Sequence, residues 1–171
     1  MDDRTITIIL RLIHILAGVF WAGTAFLIAG FLVPTVRATG REGGLFMQHL
    51  MEERRLQMFL GIAMLLTVLS GVTMYARLAA ATHGAWAGTA PGIAYGVGAV
   101  AAILGGAAGA FTGSTAGRRL AAMGSSIGPG GPSQDQQAEM GRLQAHISTG
   151  TRVTAGLLAV ATGAMAVGRY L

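Results

Sequence analysis

The uncharged stretch at residues 12–36, LIHILAGVFWAGTAFLIAGFLVPTV, decides the fold of this chain. A helix needs about 20 apolar residues to cross the hydrocarbon core of a bilayer, and this stretch has 25 residues without a charge. Two further uncharged runs, 56–76 and 78–117, are also long enough, and a shorter fourth run covers 153–167. Only 11% of the 171 residues are charged, 53% are hydrophobic, and the mean hydropathy is +0.59. The chain is therefore expected to fold in a membrane.

The four apolar runs predict an all-α fold, a bundle of four transmembrane helices that forms one membrane domain over residues 1–171. The first run lacks a positively charged start and is longer than the apolar part of a secretory signal, so we expect a retained helix. Apolar residues at helical spacing within 45–56 predict that the second helix extends beyond the membrane. The fourth helix is expected to begin after the Gly- and Pro-rich segment 128–132, with Ser133 and Gln136 as a capping box. The predicted helices cover residues 5–35, 44–79, 92–122 and 135–170.

The arginines predict the orientation of the bundle, because positively charged loops stay on the cytoplasmic side. Eight of the twelve arginines lie in or beside the loops that join helix 1 to helix 2 and helix 3 to helix 4, and four lie at the other end. Both termini are therefore expected outside the cytoplasm, with helical extensions inside it and Trp86 anchored at the outer interface. All basic residues are Arg, and Ala and Gly are abundant, which suggests a GC-rich bacterial genome. We expect a multi-pass protein of the bacterial cytoplasmic membrane.

Small residues at every fourth position predict how the helices associate. Lipid tails give helices no hydrophobic reason to pair, so close backbone contact must supply much of the attraction. The third helix is expected to be buried along this row against another helix, either the fourth helix or a helix of another subunit. The predicted interface residues are Gly105, Gly109, Gly113 and Gly117 in the third helix and Ala155, Ala159 and Gly163 in the fourth.

The sequence lacks the residues on which several classes of chemistry depend. All seven acidic residues lie outside the apolar runs, so a proton relay built on intramembrane carboxylates is not expected. The chain has no Cys, which excludes disulfides, thiolate metal sites and iron–sulfur clusters. The sequence contains no nucleophile–base pair, no phosphate-binding loop and no basic stripe with aromatics. We therefore expect neither an enzyme nor a partner that is a nucleic acid or a soluble small molecule.

One intramembrane histidine carries a family resemblance. The pattern His14, Gly18, Trp21 and Gly23 resembles the first helix of the copper-resistance D family and is similar to the membrane part of bacterial urate oxidases. The resemblance covers residues 10–34, under a fifth of the chain. In those relatives, histidines in the outer half of the bundle are thought to hold copper or haem. The resemblance therefore implies that His14 binds haem b or copper, and no other histidine of this chain matches.

The remaining ligands for such a cofactor are scarce. A six-coordinate haem needs a second axial His or Met on a facing helix, and Met74 is the one soft ligand expected at a similar depth. His83 lies on the same side but in a loop, whereas His49 and His146 belong to the opposite face. The alternative is that His14 donates a hydrogen bond to a neighbouring carbonyl or to a lipid headgroup.

Two main functions are consistent with these features. The first, which we expect, is a non-catalytic accessory or scaffold subunit without a cofactor. Its small-residue faces would pack against other integral membrane subunits and lipids in a larger respiratory or photosynthetic complex. The second is a haem b- or copper-binding redox or metal-handling protein that uses His14. A small transporter that works as a dimer is a third, weaker hypothesis.

Overall fold

The computed structural model describes residues 2–128 and 131–171, and this part of the chain is helical without a β-strand. Pro129 and Gly130, in the predicted break before the fourth helix, lie outside the described residues. The α-helices are α1 (Asp3–Leu27), α2 (Val33–Thr39), α3 (Arg41–Gln48), α4 (Leu56–Ala81), α5 (Ala90–Phe111), α6 (Arg118–Ser126) and α7 (Gln134–Val167). Short π-helical segments cover Ile28–Leu32, His49–Glu53 and Thr112–Gly117, and 3-10 turns cover Ala85–Gly88 and Gly168–Tyr170.

Four helical segments of the described chain are long and apolar enough to cross a membrane. They are Asp3–Thr39, Leu56–Ala81, Ala90–Ser126 and Gln134–Tyr170, which we call spans 1 to 4. Span 2 has 26 residues, and each of the others has 37. The all-α class and the four predicted apolar helices are therefore confirmed, and they are compatible with a multi-pass membrane protein.

The predicted second helix over 44–79 is wrong in one respect, because it is not continuous. A separate helix, α3, runs into the π-helical segment His49–Glu53, and the chain then turns at Arg55, whose φ is 54°. This left-handed conformation cannot continue an α-helix. The turn keeps the charged residues 52–55 outside the apolar run, which begins at Leu56.

Span 1 contains a proline that an ordinary α-helix would not accommodate in its interior. Pro34 has no N–H group, and its ring collides with the carbonyl four residues before it. The π-helical segment Ile28–Leu32 lies directly before this point. Its wider i→i+5 hydrogen bonds relax the backbone there, and the helix continues as α2 until Gly40, whose φ is 59°.

The starts of α1 and α7 follow ordinary capping rules. The predicted capping box is confirmed, because the Gln136 N–H donates to Ser133 Oγ at 3.2 Å and the Ser133 N–H donates to Gln136 Oε1 at 2.9 Å. At the start of α1, the Thr5 N–H donates to the Asp2 carboxylate at 2.8 Å. Hydrogen bonds from Thr5 hold the pKa of Asp2 below its ordinary value of 3.8.

The spans form two antiparallel pairs, span 1 with span 2 and span 3 with span 4. Trp21 and Leu158 are the large side chains of a small central core that otherwise consists of alanines. Only 11% to 28% of the most apolar part of each span is buried, so most of the apolar surface is exposed on the outside of the bundle. We call the end with both termini and the α4–α5 connection the terminal end, and the end with α2, α3 and α6 the loop end.

Candidate functional site

His14 lies on the face of α1 that contacts α4. Its Nδ1 atom lies 2.8 Å from the carbonyl oxygen of Thr67. Because a carbonyl oxygen can only accept a hydrogen bond, Nδ1 carries a proton and donates it. The hydroxyl of Ser70 lies 3.4 Å from the same nitrogen and donates to the carbonyl of Leu66 at 2.5 Å. In the neutral ring, the Nε2 atom therefore has the free lone pair.

Gly71 allows the imidazole to lie against the backbone of α4. A Cβ atom at this position would lie 2.8 Å from Cε1 and 3.1 Å from Nδ1 of His14. Real Cβ atoms do not approach ring atoms so closely, and moving the ring away would break its hydrogen bond to the Thr67 carbonyl. The contact therefore requires glycine. Sequence patterns did not indicate Gly71, because nothing in the sequence gives the register of α1 against α4.

The four histidines do not come together. His49 pairs with Glu53, with 2.9 Å between Nδ1 and Oε2, near the loop end. His83 lies in the exposed turn after α4, and His146 lies on the exposed surface of α7. Within residues 2–128 and 131–171, no group of three or more His, Cys, Asp or Glu side chains could hold a metal ion. A cofactor on His14 Nε2 would need further ligands from a thioether such as Met74 or from another chain.

The small residues of α5 form the contact with α7. A Cβ at Gly105 would lie 3.3 Å from the Cβ of Leu157, and a Cβ at Gly109 would lie 3.4 Å from both γ atoms of Thr154. On the opposite helix, a Cβ at Gly150 would collide with the side chain of Thr112. The two backbones therefore approach each other closely within one chain, which is one of the two arrangements that the sequence left open.

The other predicted interface residues lie elsewhere. A Cβ at Gly113 would meet the side chain of Gln57 at the start of α4, and Gly117 has no neighbour within 4 Å. On α7, Ala155 is half-buried and Ala159 is exposed, and Gly163 has no neighbour within 4 Å. For these positions on α7, packing against a helix of another chain stays a prediction.

Two further glycines in α5, which are not among the predicted interface residues, also make close contacts. A Cβ at Gly98 would lie 3.2 Å from the carbonyl oxygen of Ala161, and a Cβ at Gly106 would lie 3.4 Å from the Trp21 ring. Gly98, Ala102 and Gly106 also follow one another at every fourth position, so the same periodic signal was present in the adjoining row. The indole of Trp21 is 6% exposed and belongs to the core.

One buried hydroxyl at the α5–α7 contact has no hydrogen-bond partner. Thr154 is 7% exposed, and its Oγ1 atom makes no hydrogen bond in the described part of the chain. In contrast, the buried hydroxyl of Thr112 donates to the carbonyl of Ala108 at 2.8 Å. The unpaired hydroxyl costs free energy in an apolar environment.

Aromatic rings at the terminal end connect spans 2 and 3 through Trp86, which lies in the connection between them. The centroid of Trp86 lies 5.1 Å from that of Tyr75 in an edge-on arrangement and 6.0 Å from that of Tyr95 in a stacked one. Both distances lie in the range of favourable aromatic pairs. An ion pair between Arg77 and Asp3 joins spans 1 and 2 at the same end. Trp86 is half-buried, and its predicted place at a membrane interface stays a prediction.

No protein-family model, curated protein or solved structure matches the chain. The resemblance of residues 10–34 to the copper-resistance D family therefore has no support beyond its own short motif. The class that the fold defines is a bundle of four helices that are long and apolar enough to cross a membrane.

Proposed function

We propose that this chain is a non-catalytic subunit of a larger membrane complex, in which it packs laterally against other integral membrane subunits. The host complex would be a respiratory or photosynthetic assembly of the bacterial cytoplasmic membrane. The proposal is supported by the surface of α7 that faces away from α5. Within residues 153–167 this surface has no charged side chain, and its glycines have no close neighbour in the described part of the chain.

The exposed face of α7 carries the proposal. A Cβ atom at Gly156 or Gly163 would meet no other atom within 4 Å, and Ala159 between them is exposed. Small residues let helix backbones approach closely in a membrane, as Gly105 and Gly109 of α5 do against the opposite side of α7. In isolation, each glycine costs about 1 kcal/mol of helix propensity relative to alanine, and a partner helix would offset this cost.

Ala159→Leu tests the proposal. The leucine side chain would hold a partner helix away from α7, so we expect co-purified membrane subunits to be lost in a mild-detergent pull-down followed by mass spectrometry. The fold should be unaffected, because Ala159 is exposed. The matched control is Ala107→Leu, an exposed alanine on α5, which should retain the same subunits as the wild type. Equal retention by both variants, or no partners for the wild type, would contradict the proposal.

A second candidate function is favoured by the hydrogen bond from His14 Nδ1 to the Thr67 carbonyl. Histidines that bind a metal through one ring nitrogen commonly donate the other N–H to a backbone carbonyl. The geometry therefore fits a single ligand for haem b or copper at Nε2, and the chain supplies no further cluster of ligands among its described residues.

Absorbance and metal analysis of the purified protein separate the two functions. A Soret band, or stoichiometric copper, that is lost in His14→Ala and retained in His83→Ala would establish the cofactor function. His83 is the matched control because it lies in an exposed turn at the same end of the bundle. A colourless, metal-free protein that retains its partners supports the accessory subunit.

A further inference from the structure

Arg152 is an exposed charged residue of α7 that directly precedes the uncharged run 153–167. It makes no hydrogen bond, ion pair or ring contact within residues 2–128 and 131–171. The last carboxylate before it on α7 is Glu139, which lies 13 residues earlier and pairs with Arg142 at 3.9 Å. That separation is about 20 Å at 1.5 Å per residue. The guanidinium of Arg152 therefore has no counter-charge in the described chain.

The contact between α5 and α7 gives the depth of Arg152 in the bundle. Thr112 of span 3 lies against Gly150, so Arg152, two residues further along the antiparallel helix, is level with residues 110 and 111. At this level Phe111 is 75% exposed. The first charged residue of span 3 at the loop end is Arg118, which lies about 10 Å beyond Phe111. Arg152 is therefore set inward, at a level where span 3 is still apolar.

Arg152 shares its face of α7 with a row of small residues. The row advances alternately by four and three residues and consists of exposed positions. This spacing averages 3.5 residues, which is the period along which two helices pack side by side at a small crossing angle. A second helix on this face would therefore lie against Arg152. The members of the row are Ala145, Thr149, Arg152, Gly156, Ala159 and Gly163.

A second copy of this chain does not supply the complementary charge along this row. Copies that are inserted in the same direction hold their α7 helices parallel, and a two-fold contact brings the same residues together. The two Arg152 side chains would then meet, and like charges repel each other. All seven acidic residues lie outside the uncharged runs. Charge complementarity therefore favours a helix of a different protein.

A carboxylate is the group that best complements Arg152 on such a helix. Charged residues in membrane-spanning segments are costly, and they commonly pair with one another. The guanidinium can bind both oxygens of a carboxylate through two parallel N–H···O bonds, which gives strength and a fixed geometry. A helix that covers the row shields Arg152 from water, so it must provide an acceptor at the same depth.

We propose that the exposed face of α7 packs against a transmembrane helix of a different protein, and that an Asp or Glu of that helix pairs with Arg152. This inference rests on the proposed function and adds the chemistry of the partner. The partner helix carries small residues where it meets Gly156 and Gly163. Its carboxylate lies on the loop-end side of these contacts.

Site-specific cross-linking on a chain that keeps Arg152 tests the proposal. Benzoylphenylalanine in place of Val160, an exposed residue beside the row, is irradiated in membranes of the native host, and the linked peptides are sequenced by mass spectrometry. We expect a helix of another protein that carries Asp or Glu about 12 Å nearer the loop end, which is the distance from residue 160 to residue 152 along α7. A linked helix without such a carboxylate overturns the proposal. Links to a second copy of this chain, or to lipid alone, also overturn it.

Charge reversal gives an independent test. Retention of the cross-linked subunit in the mild-detergent pull-down should fall about tenfold or more in Arg152→Glu, because two carboxylates that are shielded from water then face each other. Arg152→Lys keeps the charge and should retain most of the subunit. The matched control is Arg142→Glu on the same helix, where the side chain is 82% exposed, and it should change retention little. Arginine in place of the partner carboxylate should restore binding to Arg152→Glu.

The outcomes separate this inference from the proposed function. Subunits that are lost in Ala159→Leu but retained equally by Arg152→Lys and Arg152→Glu overturn the carboxylate pairing and leave the accessory subunit standing. A wild-type chain without partners contradicts the proposed function itself.

Discussion

At the scale of single residues, the imidazole of His14 lies against Gly71, at a contact between spans 1 and 2 that leaves no room for a Cβ atom. Gly71→Ala should displace the imidazole and break its hydrogen bond to Thr67. Overpacking of this kind costs about 1–3 kcal/mol, so the thermal unfolding midpoint in detergent should fall.

Gly61→Ala, on the same helix, is the control. It has no neighbour within 4 Å and should raise the midpoint slightly, because alanine favours a helix by about 1 kcal/mol over glycine. An unchanged midpoint for Gly71→Ala would show that the ring does not occupy this position.

The unpaired hydroxyl of Thr154 leads to the opposite expectation. Thr154→Val keeps the shape of the side chain and removes the unsatisfied group, so stability should rise by up to about 1 kcal/mol. The same change at Thr112 removes a hydroxyl that donates to Ala108 and should not stabilise the protein. The thermal unfolding midpoints of the two variants, measured under the same conditions as the wild type, test this expectation. A lower midpoint for Thr154→Val would indicate that its hydroxyl has a partner, such as a bound water.

At the scale of elements, the contact between α5 and α7 depends on the small residues of α5. In Gly109→Leu the new side chain would meet Thr154 and push the two helices apart. We expect span 4 to separate from span 3 at a lower concentration of sodium dodecyl sulfate than in the wild type, as measured by the loss of energy transfer between fluorescent labels on the two spans. The control is Gly117→Leu, because Gly117 has no neighbour within 4 Å. If both variants resist the detergent equally, Gly109 does not lie at a helix contact in the membrane.

The elements themselves were largely predictable from the sequence. Uncharged length predicted the four apolar helices, and the Ser133–Gln136 spacing predicted the start of α7, because both are local properties. The turn at Arg55 was not predictable, because arginine has no preference for a left-handed backbone conformation. The sequence also did not predict which small residues contact another helix of the chain. Gly105 and Gly163 have similar local patterns, but Gly105 contacts α7 whereas Gly163 contacts no other helix within the described chain.

At the scale of the whole molecule, the distribution of arginines predicts that the terminal end lies outside the cytoplasm. The chain has no cysteine, so single-cysteine variants can test this. Ala85→Cys, between α4 and α5, should react with a membrane-impermeant maleimide on intact cells. Ser125→Cys, at the end of α6, should react only after the cells are permeabilised. The reverse pattern would show that the bundle is inserted the other way round.

The length of the helices constrains any protein that packs laterally against this chain. Spans 1, 3 and 4 each contain 37 residues, which is about 55 Å of helix at 1.5 Å per residue. The hydrocarbon core of a bilayer is about 30 Å thick, so in a membrane these helices would extend roughly 25 Å beyond it. A neighbouring protein that does not extend beyond the lipid head groups would contact only part of the length of these helices. A lateral neighbour that uses the full length must itself project into water, as a tall subunit or an attached peripheral protein does.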